Sequence, residues 1–346
     1  MKIQHLVLAL AAAGCVSAQA ADAINLANYQ VTGTYSLPIF NGANTSGLLS
    51  GLEGSAIAYA RDRGTLFFVG DEGSGIIEIS LTGQTIGSMA FNWAGTGATK
   101  NDTEGLTYLG NGQFVVTEER LQNGYKFSYS AGGTAALGGA PFVSFGPTIG
   151  NIGIEGISYD ARNGNFVTVK QDDPSVLSIY NALTFSTTAG ADATPTTSFA
   201  AVPTAPGSST YTSLFGLNSL SDVAVLGAVD GLNGTAAAEN LLILSLDSRQ
   251  LIEITRAGVI KSSFDLSNVL PHNGIEGVTI DENGTIYLVA EQVQDGSNVL
   301  ANPASQLIVL SNVTAAVPEP EGVALVLAGL GLMGAVSRRQ KRAIQA

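Results

Sequence analysis

The sequence predicts an all-β domain that folds as a β-propeller. An acidic residue, usually followed by glycine, opens a unit that recurs through the middle of the chain, at Glu53, Glu104, Glu155, Asp222 and Glu276. The first two spacings are both 51 residues, and the next two are 67 and 54 residues. A period of this length with several short strands in each unit is typical of propeller blades. The five units therefore predict five blades.

Each unit contains the pattern of a β-hairpin. The turns include Asn111-Gly112, Asn163-Gly164 and Asn283-Gly284, and the runs that follow them (QFVV, NFVTV and TIYLV) are rich in β-branched and aromatic residues. Asn-Gly between two such runs is a strong hairpin signal. A further run, such as IIEISL or LIEIT, adds a third strand, and some units have a fourth.

The last unit and the third unit depart from this pattern. The last unit ends after three strands, at Val313, whereas residues 29–37 (YQVTGTYSL) are left over before the first unit. We expect this N-terminal strand to complete the last blade, because a closed ring has no exposed sheet edges. The third unit has extra residues, 181–219, which form either a loop insertion or two strands of a sixth blade. The predicted propeller spans residues 26–314.

Residues 1–20 have the pattern of a signal peptide. Lys2 precedes the apolar run LVLALAAAG, and Ala18-Gln19-Ala20 is a cleavage site of the small-x-small type. We therefore expect signal peptidase to cut after Ala20. The alternative is a lipoprotein leader that carries its lipid on Cys15, the single cysteine of the chain.

Residues 317–342 form a tail with three parts. Pro318, Glu319 and Pro320 are followed by an apolar stretch, GVALVLAGLGLMGAVS, and then by a cluster of arginine and lysine residues. This tail resembles the PEP-CTERM sorting signal of Gram-negative bacteria. The resemblance implies an inner-membrane-tethered precursor that the membrane protease exosortase cuts, with release or attachment at the surface, often beside exopolysaccharide. The alternative is an ordinary membrane anchor, which leaves the basic tail in the cytoplasm.

The composition limits the classes of partner. The formal net charge is −13 and the isoelectric point is about 4.5. Nucleic acid is not an expected partner, because its phosphate backbone requires a basic protein surface. Cys15 lies in the leader, so we expect no disulfide in the mature domain.

Several repeated residues resemble the SdiA-regulated family of bacterial propellers. They are Glu-Gly-x-x-Tyr at 104–108 and at 155–159, Glu118-Glu119-Arg120, Glu276-Gly277-Val278 and Glu291. The resemblance covers residues 51–292 and implies an NHL-like propeller that is exported or membrane-attached and is suspected of binding a metal or another ligand. It implies no particular reaction, because no biochemical activity is established for that family.

Two rows of carboxylates are predicted to meet at one end of the central channel. Equivalent residues of the blades fall on a circle about the propeller axis, and the acidic residues that open the innermost strands form the first row. The adjacent strand is antiparallel and ends at the same place, where it supplies the second row. The candidate ligand or metal residues are Glu53, Glu104, Glu155, Asp222, Glu276, Asp71, Glu118 and Glu291.

Ca²⁺ is the cation that this residue pattern favours. Neighbouring carboxylates on a narrow ring repel one another by roughly 2 kcal/mol per pair at an effective dielectric constant near 20. Ca²⁺ would offset this repulsion, since it accepts about six to eight oxygen ligands in irregular geometry. Zinc and copper are less well supported, because His272 is the one histidine outside the leader. The alternative is architectural, with the repeated glutamates capping backbone amides between blades and binding no metal.

Two functions remain compatible with the sequence. The first is a non-enzymatic propeller, at the cell surface or outside the cell, that binds a cation and an unknown ligand or partner at the channel mouth, with exopolysaccharide or a surface protein as candidates. The second is a Ca²⁺-dependent hydrolase of the lactonase or phosphoesterase type that uses the same acidic mouth. His272 is a candidate general base for the second function, although no Gly-x-Ser-x-Gly motif accompanies it. The alternative for His272 is a solvated loop residue.

Overall fold

The computed structural model describes residues 22–37, 53–71, 73–188, 191–293 and 304–313. Over these residues the chain forms 22 strands in five sheets, together with five short 3-10 helices. The predicted signal peptide, Cys15 and the predicted sorting tail lie outside the described residues. Within the described part, no helix is long and apolar enough to cross a membrane.

Each sheet is one blade, and blades 1 to 5 follow one another along the chain. The innermost strands are β2 (Gly54–Ala60), β6 (Thr103–Gly110), β11 (Ile154–Asp160), β16 (Asp222–Val225) and β20 (Asn273–Ile280). The second strands are β3 (Thr65–Gly70), β7 (Gln113–Glu118), β12 (Asn165–Lys170), β17 (Leu241–Ser245) and β21 (Ile286–Val293). The third strands are β4 (Gly75–Ile79), β8 (Asn123–Ser128), β13 (Val176–Tyr180), β18 (Gln250–Ile254) and β22 (Gln306–Asn312). The fourth strands are β5 (Thr85–Asn92), β10 (Phe142–Ser144), β15 (Thr197–Ala200), β19 (Ile260–Asp265) and β1 (Tyr29–Ser36).

Two short strands cover the outer edges of blades 1 and 2. The strand β9 (Thr134–Ala136) pairs in parallel with β5, and β14 (Ala191–Asp192) pairs in parallel with β10. Each comes from the unit that follows the blade it joins, so it protects an edge that would otherwise be open to pairing. The 3-10 helices are η1 (Leu26–Asn28), η2 (Leu137–Gly139), η3 (Leu226–Ala228), η4 (Asp230–Leu232) and η5 (Ala236–Glu239).

The predicted five blades and the predicted closure by the N-terminal strand are confirmed. The strand β1 pairs antiparallel with β22, from Tyr29 opposite Asn312 to Ser36 opposite Gln306. The described part of residues 181–219 forms no sixth blade, because β15 completes blade 3 and β14 joins blade 2. The first strand of the chain is thus the outermost strand of the last blade.

The inner strands contact one another in a closed ring, β2 with β6, β6 with β11, β11 with β16, β16 with β20 and β20 with β2. At three of these contacts a side-chain hydroxyl accepts a backbone N–H from the next blade. The bonds run from Tyr159 N–H to Thr107 Oγ1 at 3.0 Å, from Val225 N–H to Ser158 Oγ at 3.1 Å and from Tyr59 N–H to Thr279 Oγ1 at 3.2 Å. These bonds fix the level of each inner strand relative to its neighbour.

The glycine of the repeated motif is explained by the close approach of neighbouring inner strands. A Cβ atom at Gly156 would lie 2.4 Å from Oδ1 of Asp222 in the next blade. At Gly277 it would lie 2.8 Å from the carbonyl oxygen of Ser55. Both distances fall well inside van der Waals contact, so a larger residue would push the blades apart. The glycine is therefore required by packing.

Apolar side chains fill the spaces between neighbouring sheets. Between blades 1 and 2, buried Phe67 and Phe114 pack with their ring centroids 4.6 Å apart. Trp93 packs edge-on against buried Tyr125 at 5.6 Å. Close packing of large rings stabilises the blade interface through buried apolar area and favourable ring geometry.

A buried carboxylate holds the beginning of the described chain. Glu253 on β18 is fully buried, and both of its oxygens accept the N–H of Ile24, at 3.0 and 3.1 Å. The same carboxylate accepts the N–H of Asn25 at 3.3 Å, Nδ2 of Asn240 at 2.8 Å and Oγ of Ser262 at 2.9 Å. Glu253 therefore fixes the residues before β1 to blade 4, and so supports the closing strand.

We predict that Glu253→Ala destabilises the domain by about 3 kcal/mol, because several buried donors lose their acceptor together. The control is Glu239→Ala, which removes an exposed glutamate that forms surface ion pairs and should cost less than about 1 kcal/mol. Urea denaturation of the two variants and the wild type measures both free energies of unfolding. Equal losses in the two variants would contradict the anchoring role of Glu253.

Candidate functional site

The residues at equivalent positions of the five blades are not always the residues that open the repeated sequence motif. In four inner strands a β-bulge lies directly before the glycine or alanine that packs on the next blade. The bulged residues are Ser55, Glu104, Glu155 and Glu276. Val225 and Tyr159 are equivalent, because each donates its backbone N–H to a hydroxyl of the preceding blade. Ser221 lies four residues before Val225, just as Glu155 lies four residues before Tyr159, so Ser221 holds the equivalent position in blade 4. The channel mouth therefore has three glutamates and two serines at equivalent positions.

Glu53 and Asp222 lie beside this ring of equivalent positions. Glu53 is two residues before Ser55, is half-buried, and exchanges hydrogen bonds with Gln292 at 2.8 and 3.2 Å. Asp222 is one residue after Ser221. Its Oδ1 accepts the N–H of Val223, and its Oδ2 accepts the N–H of Val278 in blade 5, both at 2.7 Å. The carboxylate of Asp222 therefore ties blade 4 to blade 5.

The three glutamates of the ring act electrostatically on one another. Burial, followed by the charges of Glu155 and Glu276, raises the pKa of Glu104 well above its usual range. Burial and neighbouring carboxylates do the same to the pKa of Glu155. Burial and the charges of Asp71 and Glu53 raise the pKa of Glu276 to about 8. The cluster consequently retains protons at a pH where isolated carboxyls are ionised.

Among the described residues, one group of three carboxylates joins blades 1 and 2. One oxygen each from Asp71, Asp102 and Glu104 lies within 4.8 Å of the others. Asp102 and Glu104 are buried and Asp71 is half-buried. Asp102 also forms an ion pair with Arg120, whose Nε lies 2.5 Å from Oδ2. Three carboxylates in this arrangement can provide oxygen ligands for one cation.

Sequence reasoning missed Asp102 as a candidate. It lies two residues before Glu104, just as Glu53 lies two residues before Ser55, so the two residues occupy equivalent places in blades 2 and 1. The available signal was an acidic residue directly before a repeated motif. That signal is ambiguous. The motif in blade 1 begins at Glu53, the equivalent of Asp102, whereas the motif in blade 2 begins at Glu104, two residues after Asp102.

The second row of predicted residues lies at the same end of the channel. Oε2 of buried Glu118 accepts the N–H of Leu121 at 2.6 Å. Buried Glu291 is hydrogen-bonded to Glu276. Glu119, adjacent to Glu118, accepts the N–H of Gly153 at 2.9 Å, and burial raises its pKa to about 7. This row therefore supplies both structural bonds and further buried carboxyl groups.

His272 lies in the turn that precedes β20, and its side chain is exposed. Glu276 lies on β20 itself, four residues further along the chain. The histidine is thus at the acidic end of the inner strand but outside the group formed by Asp71, Asp102 and Glu104.

Comparison with known families agrees with this architecture. The model of the SdiA-regulated family matches residues 43–293, most of the chain. The chain belongs to the SdiA-regulated family. In this SdiA-regulated protein the model of the PEP-CTERM protein-sorting motif matches residues 316–342, which confirms the resemblance of the tail and indicates export with surface or extracellular sorting.

Two solved structures resemble the SdiA-regulated propeller at low sequence identity. Glutaminyl cyclase from Myxococcus xanthus is 13% identical over 82% of this chain and 95% of its own, with a TM-score of 0.47. A luciferin-regenerating enzyme is 13% identical over 82% of this chain and 96% of its own, with a TM-score of 0.46. Similarity at this level carries no information about activity.

We predict that the metal-free protein becomes less stable as the pH rises from about 5 to about 8. The raised pKa values of Glu276 and Glu119 mean that the folded state binds more protons than the unfolded state above about pH 4.3, the usual pKa of glutamate. The free energy of unfolding therefore decreases with pH until those groups are ionised in the folded state.

Urea denaturation in the presence of a chelator, at about pH 5.5, 7 and 8.5, measures this dependence. Glu276→Gln should flatten the decrease, because glutamine does not titrate. The matched control, Glu239→Gln, changes an exposed residue outside the cluster and should keep the wild-type slope. A Glu276→Gln slope equal to that of the wild type would contradict the assignment.

Proposed function

We propose that this exported propeller binds Ca²⁺ at the acidic end of its channel and uses that end to hold a ligand or partner at the cell surface, without catalysing a reaction. The observation that carries the proposal is the group formed by Asp71, Asp102 and Glu104, whose oxygens lie within 4.8 Å of one another. Two oxygens on opposite sides of a Ca²⁺ ion, each about 2.4 Å from it, are about 4.8 Å apart. The group therefore has dimensions that suit this ion.

The donor chemistry supports a hard cation. Asp71, Asp102 and Glu104 offer carboxylate oxygens alone, which suit Ca²⁺ or Mg²⁺ better than zinc or copper. Ca²⁺ tolerates irregular coordination, whereas Mg²⁺ requires nearly octahedral order. The neighbouring carboxyls Glu155 and Glu276 carry raised pKa values, so a bound cation would replace protons and relieve their repulsion.

We predict that millimolar Ca²⁺ raises the melting temperature of the wild type by several degrees at about pH 8. A ligand that binds only the folded state stabilises it by about 2.7 kcal/mol at a hundredfold excess over Kd. The shift should be smaller at about pH 5.5, where protons compete for the carboxylates, and smaller with Mg²⁺. Differential scanning calorimetry of the exported protein measures each shift.

Two variants make this experiment specific. Glu104→Gln combined with Glu276→Gln should abolish the response to Ca²⁺ and should stabilise the metal-free protein at about pH 8 by removing repulsion. Glu239→Gln removes one exposed carboxylate and should keep the wild-type response. An unchanged wild-type melting temperature in millimolar Ca²⁺ would refute the proposed site.

A Ca²⁺-dependent hydrolase of the lactonase or phosphoesterase type is the second candidate function. The observation that favours it is a pair of carboxyls, Glu119 and Glu276, with pKa values of about 7 and about 8. Groups that titrate near neutral pH are suited to general acid–base catalysis. A screen of lactones and phosphate esters, with and without Ca²⁺, distinguishes this function from binding alone.

The two ends of the chain define how the propeller reaches its place of action. We propose that signal peptidase cuts after Ala20 and that exosortase cuts near Pro318, Glu319 and Pro320 of an inner-membrane-tethered precursor. The match of residues 316–342 to the sorting motif supports exosortase as a partner. Exopolysaccharide or a surface protein is the proposed partner of the propeller itself.

We predict that the exported protein lacks the basic tail in a host that contains exosortase. The intact mass of surface-located or released protein should correspond to a chain that ends near Pro320. As a control, Pro318→Ala combined with Pro320→Ala should leave the tail attached, because the protease loses its motif. Surface-located wild-type protein that still carries residues 338–346 would instead indicate an ordinary anchor.

A further inference from the structure

A cavity of about 700 Å³ lies at the end of the channel opposite the carboxylates Asp71, Asp102 and Glu104. It is lined by the second halves of the inner strands and by the turns that follow them, and neither Glu104 nor Glu276 contributes to it. One aliphatic side chain from each blade lines this cavity, at equivalent positions: Ile57, Leu106, Ile157, Val223 and Val278. The volume and the apolar lining are typical of a site for a small organic molecule.

Three tyrosines from successive blades also line the cavity, Tyr59, Tyr108 and Tyr159. The ring of Tyr108 packs against Phe114 with a centroid distance of 4.8 Å, and that of Tyr159 packs against Phe166 at 4.9 Å. These contacts hold the rings in place. Tyrosine rings attract cations through the negative potential of their faces.

Some of the charged residues that line the cavity form ion pairs and others do not. Arg61 forms an ion pair with Asp230 at 2.6 Å. Arg162 forms ion pairs with Asp160 and Glu239, at 2.7 and 2.8 Å. Both arginines of the lining thus have carboxylate partners.

Asp62 and Glu282, which also line the cavity, differ from these pairs. Neither has a cationic partner within ion-pair distance among the described residues. Asp62 Oδ1 accepts the hydroxyl of Tyr108 at 2.6 Å. Glu282, whose Oε2 is shielded from solvent, is hydrogen-bonded to the hydroxyl of Tyr59 and lies in the electrostatic field of Arg61. The lining therefore carries two carboxylates, each held by a tyrosine hydroxyl, that form no ion pair in the described part of the chain.

We propose that this cavity binds an organic cation with an apolar body, such as a substituted ammonium ion. The aliphatic lining would hold the apolar body, and Asp62, Glu282 and the tyrosine rings would attract the positive charge. Anions of the same size are disfavoured by the same two carboxylates. The proposal is independent of the Ca²⁺ site, because the two sites share none of their residues.

Isothermal titration calorimetry of the exported protein tests this proposal with three probes of similar size. These are benzyltrimethylammonium, which is cationic, 3-phenylpropan-1-ol, which is neutral, and 3-phenylpropionate, which is anionic. We expect the cation to bind about tenfold more tightly than either of the others. Equal affinities for the three probes, or no binding of the cation at millimolar concentration, would overturn the proposal.

Variants identify where the cation binds. Glu282→Gln should weaken binding of benzyltrimethylammonium about five- to tenfold and leave binding of 3-phenylpropan-1-ol unchanged. Asp62→Asn changes an exposed side chain and provides the same test if Glu282→Gln fails to fold. Tyr159→Leu should weaken binding of the cation because a ring is lost.

Two control variants separate binding in this cavity from long-range electrostatics and from binding at the acidic end. Asp192→Asn removes one exposed charge away from the cavity and should leave the affinity unchanged. Glu104→Gln alters the acidic end of the channel and should also leave the affinity for benzyltrimethylammonium unchanged. If Asp192→Asn weakens binding of the cation as much as Glu282→Gln does, the effect is one of long-range electrostatics. If Glu104→Gln abolishes binding of the cation, the probe occupies the acidic end of the channel. Either result would overturn the proposal.

Discussion

The close approach of the inner strands about the axis is the constraint on which the rest of the structure depends. At Gly156 and Gly277 the next blade leaves no space for a Cβ atom. The residue directly before each of these glycines is a glutamate, Glu155 or Glu276, which is thereby held at the narrow mouth near carboxylates of other blades. The packing that closes the ring therefore also concentrates negative charge. Burial by that packing, and then the charges of neighbouring carboxylates, raise the pKa values of both glutamates.

The same five strands have different chemistry at their two ends. At their beginnings, bulges and preceding residues direct carboxylates such as Glu104 and Asp102 into one buried group. At their ends, aliphatic residues and tyrosines line a cavity whose charged residues are mostly paired. Because the two sets of residues do not overlap, a substitution at one end changes the electrostatics of that end first. A propeller can thus combine a cation site and a site for a small molecule on one ring of strands.

The repeat, the Asn-Gly turns and the unpaired N-terminal run predict the blades and their closure, because each is a local pattern that packing then preserves. The sequence pattern does not predict which residue of an inner strand faces which residue of the next strand, because a β-bulge adds a residue without changing the motif. Glu53-Gly54 looks like the motif at Glu104, yet Ser55 takes the place of Glu104 in blade 1. Asp102 lies outside the motif and joins the site only through the fold. The cavity depends on how rings from three blades converge, which spacing along the chain does not specify.

The place of action sets how tightly the proposed Ca²⁺ site must bind. Sorting to the surface exposes the propeller to the medium, where modules that bind calcium typically have dissociation constants of about 10⁻⁴ to 10⁻³ M. One oxygen each from Asp71, Asp102 and Glu104 already lies within 4.8 Å of the others, so the proposed binding would require little reorganisation of the backbone. Burial opposes ionisation of Glu104, and Arg120 already forms an ion pair with Asp102. These opposing effects favour a weak site that responds to the calcium and proton concentrations outside the cell rather than one that is permanently filled.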